Sequence, residues 1–319
     1  MGVIGCGAIA RRQHIPLFLR AGATVTALAS RSLASAQAAA DDAGGGCVVE
    51  DWRELLTRDD VDAVTVCTPN AIHAEQAFAA IAAGKHVFVE KPFTVTVAEA
   101  DAVIAAGRER GVVVMTAHSA RFAPPMVALK DALHAHVIGT PVSVEASFCH
   151  AGPRVWAPEA TWFTERALAG GGALLDLGVH LVDSLRWLLQ DEFEQVAAVL
   201  DSHEVEQDAF VTFRTGRGVT GSLHAGWRCV TGSRVGLTIA GSAGTLVLDD
   251  RGPFLHRPGA APEPLPLGSH EDSPQAAFVR AVAAGRAESP DATDGRAAVA
   301  VVGACYQSAA KECTVRVLA

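Results

Sequence analysis

Two short segments of this 319-residue chain carry side chains suited to moving protons. In Val87-Phe88-Val89-Glu90-Lys91-Pro92 a carboxylate and an amine close a β-branched run, and Pro92, which has no N–H, cannot continue a central strand. Lysine stands at only four positions, Lys85, Lys91, Lys130 and Lys311, while the other 22 basic residues are arginine. An amine can titrate where a guanidinium cannot, because burial and a neighbouring cation lower its pKa toward neutrality. The second segment runs Gly170-Gly171-Gly172-Ala173-Leu174-Leu175-Asp176-Leu177-Gly178-Val179-His180. Asp176 and His180 are four residues apart in a helical stretch and share a face, and a carboxylate beside a histidine raises its basicity and fixes its orientation. The glycine run is expected to let backbone pass close to a ligand. A solvated Lys-Pro turn is the alternative at the first segment. At the second, the alternatives are a metal pair or a helix start with one satisfied histidine. No further His or Cys stands at metal-ligand spacing, so no metal is expected.

The elements that must position these residues fall into two grammars. The first 120 residues alternate short β-branched runs with Ala-rich helical stretches, the pattern of βαβ units and a doubly wound parallel sheet. Strands are expected at Val3-Ile4, Val25–Ala29, Cys47–Val49, Val61–Cys67, His86–Val89 and Val112–Thr116. Helices are expected near Ile9–Arg20, Leu33–Ala40, Ala71–Ala83 and Val97–Glu109. Glu90 and Lys91 then lie at the carboxyl edge of a parallel strand, where such sheets bind ligands. Gly5-Cys6-Gly7-Ala8-Ile9-Ala10 fits G-x-G-x-x-A between a strand and a helix. Gly5 allows the tight turn, Gly7 the approach of a pyrophosphate and Ala10 the close packing of helix on strand, so a dinucleotide site is expected. After the second strand comes Ser30-Arg31-Ser32, where an NAD enzyme usually places a carboxylate, and none appears until Asp41. Ser30, Arg31 and Ser32 can bind a 2′-phosphate, so NADP(H) is expected to be preferred, with NAD(H) as the alternative and a solvated Arg31 as the other reading of that residue. Only Met1 to Ile4 precede the turn, so the natural start is expected a few residues upstream.

From residue 121 to 319 the pattern changes to that of an α+β domain on a large, mostly antiparallel sheet. Alternation recurs at 142–149, Ala209–Phe213, Val219–Leu223, Val235–Ile239 and Thr245–Leu248, with helices at Gly172–Leu189, Pro274–Ala284 and Gly295–Ala310. Pro253 to Pro274 reads as an exposed loop. The balance of 35 carboxylates against 26 Lys plus Arg gives −9 and offers no broad basic face for nucleic acid. Seven scattered cysteines with no C-x-x-C pair fit a reducing cytosol. No leader is read at the start, and Asp176, His180, Asp183 and Arg186 make the most apolar stretch too polar for a membrane span.

Taken together, the glycine turn with Ala10, Thr68-Pro69-Asn70 with His73, Glu90-Lys91-Pro92, and Gly171-Gly172 leading to Asp176-x-x-x-His180 resemble the Gfo/Idh/MocA family, the glucose-fructose oxidoreductase and inositol dehydrogenase enzymes. The resemblance covers essentially the whole chain in order. It implies an N-terminal Rossmann domain and a C-terminal α/β domain with an open sheet, the nicotinamide lying between them over the substrate. It also implies a homodimer or homotetramer formed through that sheet. By the same resemblance, Gly5, Gly7, Ala8 and Ile9 bind the pyrophosphate, Ser30 and Arg31 the adenosine ribose or its phosphate, and Glu90 the nicotinamide ribose. Thr68, Pro69, Asn70 and His73 border the dinucleotide. Lys91, Asp176 and His180 match the catalytic group. Some members use Tyr in place of His180, but the lone tyrosine, Tyr306, falls in a C-terminal helix. His118 and Arg121 stand near the substrate, Trp162 and Phe163 near cofactor or substrate, and Arg154 with Trp156 shapes a sugar pocket, the alternative for the tryptophans being core or loop anchors.

The expected reaction is therefore hydride transfer between NADP(H) and a hydroxyl or carbonyl of a sugar, cyclitol or nucleotide sugar. In it His180, oriented by Asp176, handles the proton and Lys91 stabilises the alkoxide. Two other activities occur among similar proteins: glycoside cleavage through transient oxidation with bound NAD, and non-catalytic sensing of a dinucleotide.

Overall fold

A computed structural model describes residues 1–230, 234–268 and 272–318 of the chain. They divide into two compact units: Met1–His118 with Ala167–Gly170 and Asp272–Arg296, and Ser119–Arg166 with Gly171–Glu271 and Ala297–Ala319. Where the sequence reading draws one cut after residue 120, the chain returns twice to the first unit.

The first unit holds a six-stranded parallel sheet ordered β3-β2-β1-β4-β5-β6. Its strands are β1 (Gly2–Ile4), β2 (Ala27–Ala29), β3 (Cys47–Val49), β4 (Ala63–Val66), β5 (His86–Val89) and β6 (Val114–Thr116). The order reverses at β1/β4, the switch point at which a doubly wound sheet opens a crevice beyond its carboxyl ends. All residues of β1, β2, β4 and β6 are buried, which explains their mostly apolar runs, interrupted only by Thr65 and Thr116. A short helix at Trp52–Leu56, capped by Asp51, escapes the periodicity because it is only five residues long. The returning segment adds helix Pro274–Ala284, capped by Ser273, whose Phe278 meets Phe18 and Phe88 at ring separations of 6.1 and 5.3 Å.

The second unit holds a nine-stranded sheet ordered β14-β13-β12-β11-β7-β10-β9-β8-β15, antiparallel except for the β7/β10 pair. Its strands are β7 (Pro141–Cys149), β8 (Phe193–Leu200), β9 (Asp208–Thr215), β10 (Thr220–Gly226), β11 (Arg234–Gly241), β12 (Thr245–Asp249), β13 (Gly252–His256), β14 (Glu263–Pro264) and β15 (Val315–Arg316). One face packs on helices Pro124–His134 and Val179–Leu189 through a core that includes Leu129, Val144, Leu185 and Val211. The other face is concave, with a cavity of about 1000 Å³, and leaves Val199 and Phe210 exposed.

One strand that the sequence does not announce is present, and two expectations are qualified. β8 breaks the alternation because its register with β9 shifts between Phe193 and Gln195. The Pro-rich tract is not all loop: β13 pairs with β12, and Pro253, having no N–H to give, contributes its carbonyl, which accepts from the Leu265 N–H at 2.8 Å. Residues 269–271 of that tract lie outside those described. Finally, the run Arg166–Leu189 is, among the described residues, long and apolar enough to cross a membrane by length and composition alone; 83% of its most apolar window is buried, as in the core helix of a folded domain.

Candidate active site

The glycine turn sits at the carboxyl end of β1. Gly5 has φ +91° and donates its N–H to the Ala29 carbonyl at 2.9 Å. A Cβ at Gly5 would stand 2.7 Å from the Cys67 carbonyl oxygen, so the turn presses against β4 and no other residue fits. Gly7 differs, since a Cβ there would meet no atom within 4 Å. The space it would enter lies before the helix over residues 8–20, whose first N–H groups and positive end suit a phosphate. Ala10 is buried against Val3, Ile15 and Leu28. Arg31 is exposed at the end of β2, and Ser32 caps helix Leu33–Ala43, its Oγ accepting from the Ser35 N–H at 3.2 Å.

The loops after β4 and β5 are tied together by His73. Its Nδ1 lies 2.8 Å from the Pro92 carbonyl and its Nε2 2.9 Å from the Thr68 carbonyl, with the ring fully buried. Burial lowers its basicity, against the two carbonyls and Glu90, which raise it. His73 was expected to border the dinucleotide; with its nitrogens near the Pro92 and Thr68 carbonyls, it ties together the loops after β4 and β5. Asn70 likewise donates to the Ala169 carbonyl at 2.8 Å, and the Thr68 hydroxyl to Gln76 Oε1 at 2.6 Å.

Glu90 is buried, and Lys91 beside it is half-buried and joined to Pro92 by a cis bond. Burial pushes the Glu90 carboxyl up, but the hydrogen bond from His14 and the charge of Lys91 outweigh it and hold the group below its ordinary range. Glu90 Oε1 lies 3.3 Å from His14 Nε2, while Oε2 is buried without a hydrogen-bond partner. A buried lone carboxylate oxygen and an open glycine cradle both fit a dinucleotide, whose phosphates Gly5, Gly7 and the helix start would hold and whose ribose hydroxyl Glu90 would accept.

In the second unit, Asp176 lies in a wide π-type turn, Leu174–Gly178, that leads into helix Val179–Leu189. Wide turns of this kind recur at functional sites because they re-aim side chains. Asp176 is 4% exposed, and its Oδ2 accepts from the Trp227 indole N–H at 3.1 Å. His180 is half-buried, its ring 5.8 Å from Phe148. Trp227, at the end of β10, was not anticipated; its place beside Asp176 depends on strand pairing far along the chain. Its ring also meets Phe163 at 6.4 Å, which in turn contacts Trp156 at 5.2 Å and stacks on Trp162 at 3.8 Å. The exposed Arg154 and the rings of Phe163 and Trp227 line a cavity of about 470 Å³, within the usual range for a small-molecule pocket.

Several sequence expectations are redirected. The glycine run does not make room for a ligand: a Cβ on Gly171 would reach the Tyr306 hydroxyl at 2.1 Å, and one on Gly172 the Glu206 carbonyl oxygen at 1.9 Å. The buried Glu206 carboxylate accepts from the Gly172 and Leu174 N–H groups and from the Tyr306 hydroxyl at 2.9 Å, so Glu206 caps the helix carrying Asp176 and His180 and the single tyrosine holds that carboxylate in place. Burial and the Glu206 carboxylate push the Tyr306 phenol well above its usual value. Arg121, expected near substrate, forms a buried bidentate pair with Asp183, its Nε donating at 2.8 Å and its Nη2 at 2.5 Å. His118 is buried as well.

A model for an oxidoreductase family with an NAD-binding Rossmann fold matches residues 1–118, and a model for the GFO/IDH/MocA C-terminal domain matches residues 126–247. The chain is 36% identical over 253 residues to a 1,5-anhydro-D-fructose reductase of Ensifer adhaerens, covering 77% of this chain and 74% of that one. It is 33% identical over 322 residues to an inositol 2-dehydrogenase of Paracoccus denitrificans (strain Pd 1222), covering 96% and 92%. Among solved structures, a levoglucosan dehydrogenase in complex with NADH and L-sorbose superposes with a TM-score of 0.88 at 25% identity, over 99% of this chain and 98% of that one. With both of its parts matched, and with relatives named as sugar and polyol dehydrogenases and reductases, the chain belongs to the Gfo/Idh/MocA family of NAD-binding oxidoreductases acting on CH–OH groups.

Proposed function

We propose that this oxidoreductase interconverts a hydroxyl and a carbonyl on a sugar, cyclitol or nucleotide sugar, with Lys91, Asp176 and His180 managing the proton. The observation that carries this reading is Asp176, a buried carboxylate anchored by an indole N–H four residues before His180. The nicotinamide supplies or takes the hydride when bound. His180 accepts the hydroxyl proton in oxidation and returns it in reduction, with Asp176 stabilising its charged form. Lys91 donates to the same oxygen and stabilises the alkoxide as it develops. The names of the anhydrofructose and inositol relatives support a polyhydroxylated substrate, and Arg154, Trp156 and Trp162 would shape its pocket.

NADP(H) is the favoured form of the cofactor, because no carboxylate closes β2 and Arg31 is exposed beside the helix start at Ser32. Seven cysteines without a disulfide suit a cytoplasmic enzyme. The exposed Val199 and Phe210 suit a homo-oligomer formed through the open sheet. A panel of aldoses, inositols and keto sugars, assayed with NADPH and NADH by nicotinamide absorbance, tests the reading. Net cofactor turnover with at least one panel member and a higher kcat/KM for NADPH are expected. Release of free sugar without net cofactor change would favour glycoside cleavage instead, and an equal or better kcat/KM with NADH would refute the cofactor preference.

A further inference from the structure

Helix residues 8–20 begin at the glycine turn and contain a π-type turn, Ala10–His14, at whose end the fully buried His14 sits between the rings of Phe18 and Phe88 at 6.4 and 5.7 Å. A histidine on such a helix is ordinarily free to face solvent; here it faces inward, where a buried imidazole must find partners for both nitrogens. Both are met. Gln275 Nε2 lies 3.0 Å from His14 Nδ1 and Glu90 Oε1 3.3 Å from His14 Nε2, an arrangement that a neutral ring with its proton on Nε2 satisfies, while Gln275 Oε1 is buried without a hydrogen-bond partner. Gln275 is itself fully buried and comes from the segment that returns to this unit late in the chain. The line of hydrogen bonds ends on Glu90, whose Oε2 is buried without a partner. An orphaned acceptor of this kind costs stability unless a ligand donor completes it.

We propose that Gln275 and His14 are positioning residues for cofactor binding: Gln275 fixes the Nε2–H tautomer of His14, His14 holds Glu90 Oε1, and Glu90 Oε2 is thereby presented to a hydroxyl of the cofactor's nicotinamide-side ribose. The relay explains why Gln275 must be an amide. A carboxylate would draw a proton onto Nδ1 and make the ring a cation, and an apolar residue would leave the tautomer unset. It also gives the returning helix Pro274–Ala284 a part in the site beyond packing Phe278. The inference rests on Glu90 facing the ribose, and its two halves are tested separately.

The tautomer is read by NMR of isotope-labelled histidine in the full chain without cofactor, and cofactor affinity by fluorescence titration with NADH and NADPH. The expected wild-type signal is a neutral Nε2–H imidazole; an Nδ1–H or imidazolium signal at neutral pH overturns the relay whatever the cofactor does. Gln275→Leu is expected to lose the single-tautomer signal and to raise the Kd of both cofactors about tenfold, the worth of one charge-assisted hydrogen bond. His14→Gln, whose amide can still donate to Glu90, is expected to recover part of the affinity lost in His14→Leu. Gln275→Leu with unchanged tautomer, or with Kd within about twofold of wild type, overturns the proposal. Wild-type binding of either dinucleotide, read in the same titration, separates failure of the relay from failure of the cofactor site itself.

Discussion

The two glycines of the first turn should respond oppositely to the same added methyl group. In Gly5→Ala the new Cβ would lie 2.7 Å from the Cys67 carbonyl oxygen, 2.8 Å from its carbonyl carbon and 2.8 Å from Thr68 Cγ2, at a φ of +91°. The left-handed backbone costs about 1–2 kcal/mol for a residue with a Cβ. Overpacking against a backbone that cannot move aside adds about 1–3 kcal/mol. A loss of about 3 kcal/mol is expected, read as a lower melting temperature. In Gly7→Ala the Cβ meets nothing within 4 Å, so the fold is expected to be unchanged or stabilised by about 0.4–1 kcal/mol through the unfolded chain. On the proposed reading, that methyl group would occupy the space through which a pyrophosphate approaches the backbone. Losing one charge-assisted hydrogen bond of about 1.5–3 kcal/mol corresponds to about 10- to 150-fold in Kd. Melting curves and NADPH titration on the two variants decide the matter. A Gly7→Ala protein as unstable as Gly5→Ala, or one that binds the dinucleotide like wild type, would refute the assignment of this turn.

Arg121→Ala should cost about 3–5 kcal/mol by removing the bidentate partner of the buried Asp183 carboxylate; near wild-type stability with a raised sugar KM would return Arg121 to the substrate site. Gly171→Ala should destabilise by about 1–3 kcal/mol through its clash with the Tyr306 hydroxyl. Tyr306→Phe added to it should recover part of that loss, and no recovery in urea unfolding would contradict the cap. Burial pushes the Glu206 carboxyl above its usual value despite the N–H groups it accepts from. The folded chain therefore binds this proton more tightly than the unfolded one. The stability it contributes is complete below the ordinary glutamate range and is lost as pH rises through the folded value. Glu206→Gln should flatten that decline, and a pH profile of unfolding identical to wild type would refute it.

Much of the first unit was legible because its physics is local. A fully buried strand writes a mostly apolar, β-branched run, a glycine turn writes its spacing, and Pro92 marks where β5 must stop. In the second unit β8 was hidden by its register shift, and β13 by a proline whose carbonyl, not its missing N–H, joins the sheet. The site followed the same division. Glu90, Lys91, Asp176 and His180 stood out by type and spacing, whereas Trp227, His14 and Gln275 acquire their partners only through long-range pairing. His14 lies 76 residues from Glu90 in sequence and 261 from Gln275. The glycine run was expected to admit a ligand, but what comes close to Gly171 and Gly172 is Tyr306 and Glu206. Arg121 looked like a ligand contact because nothing in its neighbourhood announces Asp183, 62 residues away.

The central claim is that a hydride moves between nicotinamide and a sugar carbon while Lys91 and His180 handle the proton. The direct measurement is single-turnover reduction of a keto sugar by NADPH deuterated at C4, with the product analysed by mass spectrometry in wild type, Lys91→Ala and His180→Ala. Deuterium is expected on the newly formed carbinol carbon of the wild-type product. Each variant is expected to react roughly 100-fold more slowly or worse, with NADPH still bound. Product without carbon-bound deuterium, or either variant turning over near the wild-type rate, would contradict it.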